Sequence, residues 1–178
     1  MDGYEPEAAL AILEVAGVAG VSSVLDVESG DPDVLGRMLA LGAHAILPLG
    51  AGRTLTGRMA PGEVLAGLGA LTGSGPQLVV TAGTRGSWAI GADGMVHQPA
   101  FHVQTVDTTG CGDVFHGAYA SALLDGLPLR QRLEFAALIA SRVALGLGGR
   151  GNLPTRASLR AENIPGVSGE LQNDMRLS

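Results

Sequence analysis

One segment decides how this sequence is interpreted: Asp107-Thr108-Thr109-Gly110-Cys111-Gly112-Asp113. It stands between a predicted strand and the apolar stretch Val114 to Leu124, which is typical of a helix. Two glycines around one small residue let the backbone turn tightly, so that successive N–H groups at the helix start face one spot. The helix dipole adds roughly half a positive charge there. We therefore expect an anion-binding loop, suited to the charged oxygens of a phosphoryl group in transfer.

Asp113 is the last residue of this segment and lies at the start of the predicted helix. An aspartate is ionised at neutral pH and the helix dipole favours its charged form, so it can accept a proton from an attacking hydroxyl. The pattern G-x-G-D on its own is also compatible with an ordinary turn, in which Asp113 is only a capping or first-turn acid. The residues around the loop decide between these two interpretations.

The whole run resembles the second signature of the PfkB or ribokinase family of carbohydrate kinases, D-T-x-G-A-G-D followed by small residues on a helix. The resemblance implies that Asp113 is the catalytic base and that Gly110, Cys111 and Gly112 form the anion hole. Cys111 stands where alanine is usual. A thiol is a small hydrophobe and leaves the backbone N–H unchanged, so we interpret it as a tolerated substitution. The alternative is a redox-sensitive thiol activated by the helix terminus.

Two further stretches resemble the same family in order and spacing. Thr81-Ala82-Gly83-Thr84-Arg85-Gly86 is similar to its T-x-G-x-x-G stretch, which contacts ATP, and this implies nucleotide contacts from Thr81, Gly83, Arg85 and Gly86. The stretch from Phe135 to Pro154 resembles the adenine-pocket helix, with Ala137, and the loop after it. In many members backbone carbonyls of that loop bind a monovalent cation such as K⁺. The positions that the resemblance implies here are Asp107, Thr109, Val143, Gly146, Gly148 and Asn152.

The sequence also departs from the family. Many members carry an N-x-x-E motif tied to Mg²⁺ and phosphate, but the matching positions are Pro48 and Ala51. The resemblance covers roughly Asp2 to Leu159, and the family's N-terminal sugar-binding segment and lid have no counterpart in it. We expect ATP-dependent transfer to a sugar hydroxyl as the family reaction, with Mg²⁺ bridging the phosphates. We expect no sugar phosphorylation by this chain alone. The alternatives are a non-catalytic nucleotide-binding remnant and a nucleoside or pyrimidine-alcohol kinase of the same superfamily.

Composition limits the class of partner. The chain has 178 residues, 46% of them apolar, a net charge of −6 and scattered basic residues, so neither a nucleic-acid groove nor a membrane-binding surface is indicated. All 11 basic residues are arginine, which excludes a P-loop lysine. One cysteine, no membrane-length apolar run and no leader-like start favour a cytoplasmic protein. ATP and a small sugar are the expected partners, and an uncovered sheet edge would favour a homo-oligomer.

Strands alternating with helices predict a ribokinase-like α/β fold, with a mainly parallel sheet, helices on both faces and a truncated N-terminus. We assign residues 1–165 to one domain and residues 166–178 to a polar tail. The predicted helices are Pro6–Val18, Pro32–Leu41, Pro61–Leu71, Val114–Leu124 and Leu133–Leu147. The predicted strands are Val21–Val27, Ala45–Leu49, Gln77–Thr81, Ser87–Ile90 and Phe101–Val106, with a hairpin turn at Asp93-Gly94.

Overall fold

The computed structural model describes residues 5–73 and 75–161, and the predicted tail lies outside them. Its helices are α1 (Pro6–Val18), α2 (Pro32–Leu41), α3 (Leu49–Thr56), α4 (Pro61–Thr72), α5 (Cys111–Leu124), α6 (Leu129–Val143) and α7 (Arg156–Ala161). Its strands are β1 (Val24–Asp26), β2 (His44–Pro48), β3 (Gln77–Thr81), β4 (Ser87–Gly91) and β5 (Gly94–Gln98). None of the helices in the described part of the chain has the length and apolar character needed to cross a membrane.

The strands form one mixed sheet in the order β1-β2-β3-β4-β5, with β1 and β5 at its edges. The pairs β1–β2 and β2–β3 are parallel, and β3–β4 and β4–β5 are antiparallel. A parallel pair needs a crossover connection, which helices supply between the first three strands. The links from β3 to β4 and from β4 to β5 are too short for a crossover, so these strands turn back. The predicted hairpin at Asp93-Gly94 is therefore confirmed.

Both faces of the sheet are covered by helices, as predicted. Side chains alternate between the faces along a strand. On β2, Leu47 packs into a core formed with α1 to α4, whereas the neighbouring Ile46 packs on the opposite face with α5 and α6. On β3, Val80 packs into the first of these cores and Val79 into the second. The helices α5 and α6, which frame the predicted site, therefore rest on the face opposite α1 to α4.

The predicted strand Phe101–Val106 is wrong. These residues form no sheet pairing. Pro99, which follows β5, has no N–H to donate to a ladder, so β5 cannot be extended through it. The N–H of Val106 instead donates to the carbonyl of Ala144 at 2.8 Å, which ties the segment to the loop after α6.

The bounds of three elements differ from the prediction by more than one residue, and two helices, α3 and α7, were not predicted. Helix α6 lies four residues earlier than predicted. It starts directly after Pro128, and it ends before Ala144, whose carbonyl accepts hydrogen bonds from the N–H groups of Val106 and Asp107. Helix α5 starts at Cys111 rather than Val114, since Gly110 turns the chain into it. Strand β1 is shorter than Val21–Val27, with Val21 exposed. Helix α3 was not predicted, because its glycines have low helix propensity. The burial of Leu49 and Gly52 stabilises this helix nevertheless.

Candidate active site

The 107–113 loop turns into α5 through one residue in the left-handed region. Gly110 has φ 74°, and a Cβ added to it would lie 2.9 Å from the Cα of Gly149. Only glycine combines this conformation with so close an approach. The N–H of Cys111 donates to the carbonyl of Thr108 at 3.1 Å. The N–H groups of Gly112 and Asp113 follow in the first helical turn, where a helix offers them no acceptor of its own. The loop thus presents N–H groups suited to an anion.

The Asp107 carboxylate holds this loop together and ties it to the loop after α6. Its Oδ1 accepts hydrogen bonds from the N–H of Thr109 at 2.9 Å and from the hydroxyl of Thr109 at 2.7 Å. Its Oδ2 accepts the N–H of Gly148 at 2.9 Å. The bond from the Thr109 N–H, followed by those from the Thr109 hydroxyl and the Gly148 N–H, lowers the pKa of Asp107. Asp107 therefore stays ionised and joins the two loops.

The residues implied for a monovalent cation lie in these two contacting loops and at the end of α6. A Cβ on Gly149 would lie 3.0 Å from the carbonyl oxygen of Thr109. The side chain of Asn152 packs against Gly146, and with its oxygen turned toward Gly146 it accepts that N–H at 3.1 Å. Val143 is buried at the end of α6, immediately before this loop. The structure thus brings together two segments, which contain Asp107, Thr109, Val143, Gly146, Gly148 and Asn152.

A cavity of about 230 Å³ joins the loop to the turn after β3, and we call it the smaller cavity. Thr81, Gly83 and Gly86 line one side of it, and Cys111 and Gly112 line another. Ala137 contributes from α6. Of the residues predicted to bind nucleotide, Arg85 does not line the cavity: its carbonyl instead accepts a hydrogen bond from Nε2 of His97 at 3.0 Å. The other predicted nucleotide residues thus share one cavity with Cys111 and Gly112, whereas Gly110 does not line it.

A second cavity, of about 710 Å³, lies on the other side of the same loop, and we call it the larger cavity. Thr109, Gly110 and Asp113 line it together with residues of α5, α6 and α7 and the loop before α7. The loop is therefore a wall between two cavities. Its Cys111 and Gly112 face the smaller one, and its Asp113 faces the larger one.

The Cys111 thiol is placed for packing rather than for redox chemistry. Its sulfur donates to the carbonyl of Ala140 at 3.6 Å. Burial raises the pKa of the Cys111 thiol, and the negative charge of Asp107 adds to the rise. Because the thiolate is the reactive form, this environment disfavours the redox-sensitive alternative.

Two groups of residues at the smaller cavity were not predicted. The first is the unpaired segment after β5, from which Ala100, Phe101, Val103 and Thr105 contribute to the wall. Its apolar residues indicated a strand, although they cover the cavity instead. The second is His116, whose ring nitrogens both contact main-chain oxygens. The sequence could have indicated His116 as a site residue only through its position one turn after Gly112, because its partners on the sheet are distant in sequence.

Comparisons with known proteins relate the chain to one family. The family described as pfkB family carbohydrate kinase matches residues 13–156. The ribokinase of Bacillus subtilis is 39% identical over 80 residues, which are 45% of this chain and 27% of that protein.

Two solved structures share the fold over nearly the whole chain. A protein from Agrobacterium tumefaciens assigned as a ribokinase has a TM-score of 0.83 and 29% identity, with 95% of this chain and 56% of that chain covered. Arabidopsis thaliana ribokinase, solved with ribose and ATP, has a TM-score of 0.77 and 24% identity, with 93% and 53% covered. The chain thus spans about half the length of these solved relatives. The predicted ribokinase-like α/β fold is confirmed.

Gly110→Ala should destabilise the protein, whereas Gly117→Ala on the same helix should not. A non-glycine residue in the left-handed region costs about 1 to 2 kcal/mol, and the new Cβ would also displace the Gly149 backbone. A Cβ on Gly117 meets open space, and alanine gains about 0.5 to 1 kcal/mol over glycine inside a helix. Denaturant unfolding of the two variants measures this difference. Equal stabilities would contradict the close packing of Gly110 on Gly149.

Asp107→Asn should destabilise the protein near neutral pH and have little effect in acid. Because the folded-state pKa of Asp107 is lowered from 3.8, its stabilising contribution is present above that value and is lost as the pH falls through the folded-state pKa. An asparagine amide would also turn a donor toward either Thr109 or Gly148. Melting temperatures at neutral pH and below about pH 3 measure the effect. Asp93→Asn, at the exposed hairpin turn, is the control. A pH-independent difference between wild type and Asp107→Asn would refute this account.

Proposed function

The chain belongs to the pfkB family of carbohydrate kinases, and from this premise we propose that it binds ATP and carries the catalytic base for phosphoryl transfer to a sugar hydroxyl. The observation that carries the proposal is the loop between two cavities. Its first-turn N–H groups suit a phosphate, and its carboxylate faces the opposite cavity from the predicted nucleotide residues. The single cysteine, which cannot pair within the chain, agrees with the cytoplasmic location that we propose.

The smaller cavity is the proposed nucleotide site. Glycines of the turn after β3 allow close approach of a ligand to the backbone, and Ala137 and Ala140 of α6 leave an apolar wall for a base. The phosphates would extend toward Cys111 and Gly112, where the helix dipole and the first-turn N–H groups favour negative charge. In a chain without lysine, these backbone groups replace a P-loop lysine as the means of phosphate binding.

Asp113 is the proposed general base, and the acceptor would approach it from the larger cavity. The carboxylate accepts the hydroxyl proton as the acceptor oxygen forms its bond to the terminal phosphorus. The bond from that phosphorus to the bridging oxygen of ADP breaks, and ADP leaves with the electron pair. The N–H groups of the loop stabilise the charge on the transferring group, because they are fixed by the helix and need no reorganisation.

The two metal ions implied by the family resemblance fit this chain differently. A monovalent cation fits the two loops joined by Asp107, because an ionised carboxylate lies beside a glycine-rich backbone that is rich in carbonyls. Carbonyls of Asp107, Thr109, Val143, Gly146, Gly148 and Asn152 would hold it. Such an ion would fix the loop next to the anion hole.

For magnesium, Pro48 and Ala51 offer no side-chain ligand, and within residues 5–73 and 75–161 no cluster of three or more His, Cys, Asp or Glu residues could hold a metal. We therefore derive no step through magnesium.

The lining of the larger cavity favours a second candidate, nucleotide binding without transfer by this chain alone. Most of its residues are apolar or glycine, among them Val114, Ile139 and Leu159. Arg156 is already engaged, with Asp125 at 3.1 Å and Ser121 at 2.9 Å. A sugar is held in line by several polar contacts, and such positioning supplies on the order of 7 to 11 kcal/mol of the barrier. A coupled ADP-release assay with hexoses, pentoses and nucleosides separates the two candidates and tests nucleosides as acceptors.

Asp113→Asn should preserve nucleotide binding and abolish most transfer. The amide has the shape of the carboxylate but cannot take the proton, so turnover should fall roughly 10²-fold to 10⁴-fold in any form of the protein that shows acceptor-dependent ADP release. Titration calorimetry with ADP should give similar dissociation constants for wild type and variant. Asp93→Asn is the matched control and should match wild type in both assays. Near-normal turnover of Asp113→Asn would remove Asp113 as the base, and a wild-type protein that does not bind ADP would refute the nucleotide site.

A further inference from the structure

The larger cavity has few polar side chains, and most of them are already engaged. These side chains are Thr109, Asp113, Ser121, Arg150 and Arg156. The hydroxyl of Thr109 donates to Oδ1 of Asp107 at 2.7 Å. The guanidinium of Arg156 donates to Oδ1 of Asp125 at 3.1 Å and to the hydroxyl of Ser121 at 2.9 Å. Three of the five thus have partners within the protein.

Asp113 and Arg150 are the two polar side chains that stay open to a ligand. Among the residues that the structure describes, neither side chain has a hydrogen bond or an ion pair. Arg150 is exposed and lies on the loop between α6 and α7. Its neighbour Gly149 packs so closely on Gly110 that a Cβ on Gly149 would lie 3.1 Å from the Cα of Gly110. The backbone from which Arg150 extends is therefore fixed beside the anion-binding loop.

Most other side chains of this cavity are apolar. Phe135, Ile139 and Leu159 line it, are at most 8% exposed and belong to the core between α5, α6 and the sheet. Val114 and Ala118 of α5 add to the same wall. Apolar side chains offer no hydrogen bonds to the many hydroxyl groups of a neutral sugar. The cavity is therefore suited to a ligand whose body is largely apolar.

The two open groups determine the chemistry of the two ends of such a ligand. Asp113, the proposed base, accepts the proton of a hydroxyl. Arg150 presents a cation whose N–H groups form a planar fork, and this fork matches two oxygens of a carboxylate or a phosphate. A ligand with a hydroxyl at one end and an oxyanion at the other uses both groups. A neutral alcohol uses only Asp113 and leaves the cation without a partner.

We propose that the larger cavity selects an anionic acceptor, an alcohol that bears a carboxylate or a phosphate and has few other hydroxyl groups, and that Arg150 binds its oxyanion. The proposal rests on the proposed function, because it names the class of acceptor for Asp113. Arg150 is then a specificity-determining residue, separate from the loop N–H groups that bind the nucleotide phosphates. Arg156 does not share this role, because Asp125 and Ser121 already hold it.

Three matched probes test the selection on the full chain. Hydroxyhexanoate, hydroxyhexyl phosphate and hexanediol share an unbranched chain with a terminal hydroxyl, and only the first two carry an oxyanion. Amide spectra of the ¹⁵N-labelled protein locate each probe, because Gly117 and Ser121 line the larger cavity whereas Gly83 and Gly86 line the smaller one. With shifts at Gly117 and Ser121, at least one anionic probe should bind about 10-fold more tightly than hexanediol, about one charge-assisted contact. The tighter of the two identifies the oxyanion.

Substitutions of Arg150 show whether this residue causes the preference. Arg150→Gln should remove it, and Arg150→Lys should retain part of it, because lysine keeps the charge without the planar fork. Arg37→Gln, at an exposed position of α2 on the opposite face of the sheet, is the control and should match wild type. Equal binding of the three probes by wild type, a preference that survives in Arg150→Gln, or no shift at Gly117 and Ser121 with any probe would overturn the proposal.

ADP titrations of the same samples separate this inference from the proposed function. A chain that binds ADP in the smaller cavity but shows no preference dependent on Arg150 would overturn the inference and leave the nucleotide site in place. A preference dependent on Arg150 in a chain that does not bind ADP would refute the nucleotide site and support the anion selectivity of the larger cavity.

Discussion

The close approach of two backbone segments at Gly110 and Gly149 is the constraint on which the site depends. No side chain fits between them, and the Asp107 carboxylate fixes the same two loops through the N–H groups of Thr109 and Gly148. Because the chain is held there, α5 begins at once after Gly110 and its first turn points at a fixed spot. An anion site made of backbone N–H groups requires this kind of rigidity, since the groups cannot adapt as long side chains do.

The position of α5 gives this loop two different sides. The helix packs on the sheet face opposite α1 to α4, and α6 and α7 flank it, so one cavity opens toward the turn after β3 and another toward α7. In the proposed mechanism, adjacent residues of one loop have different roles: Gly112 contributes to phosphate stabilisation and Asp113 removes the proton. Asp113 lies away from the wall that would meet the nucleotide phosphates, because it lines the larger cavity. This separation is what phosphoryl transfer between two ligands requires.

Local signals in the sequence predicted the parts of the fold that depend on local chemistry. Prolines at the first helical position mark α1, α2 and α4, and the glycines of the 107–113 loop mark the start of α5. The segment Phe101–Val106 was wrongly predicted as a strand, because its apolar residues line a cavity instead of packing on a sheet. The periodicity of apolar residues does not distinguish these two environments. At the site, the loop and the turn after β3 were each predicted to contact the nucleotide, and residues of both line the smaller cavity. The contacts of His116 with Ile46 and Asp26 were not predicted, because they join residues about 70 and 90 positions apart.

The location of bound phosphate tests the central claim most directly. In a crystal structure of the full chain with ADP, we expect the terminal phosphate within about 3 Å of the backbone N–H of Gly112, with the base in the smaller cavity against α6. Asp113 should face away from the adenine, toward the larger cavity. A nucleotide bound elsewhere, or a phosphate held by arginine side chains with the loop N–H groups unengaged, would contradict the account.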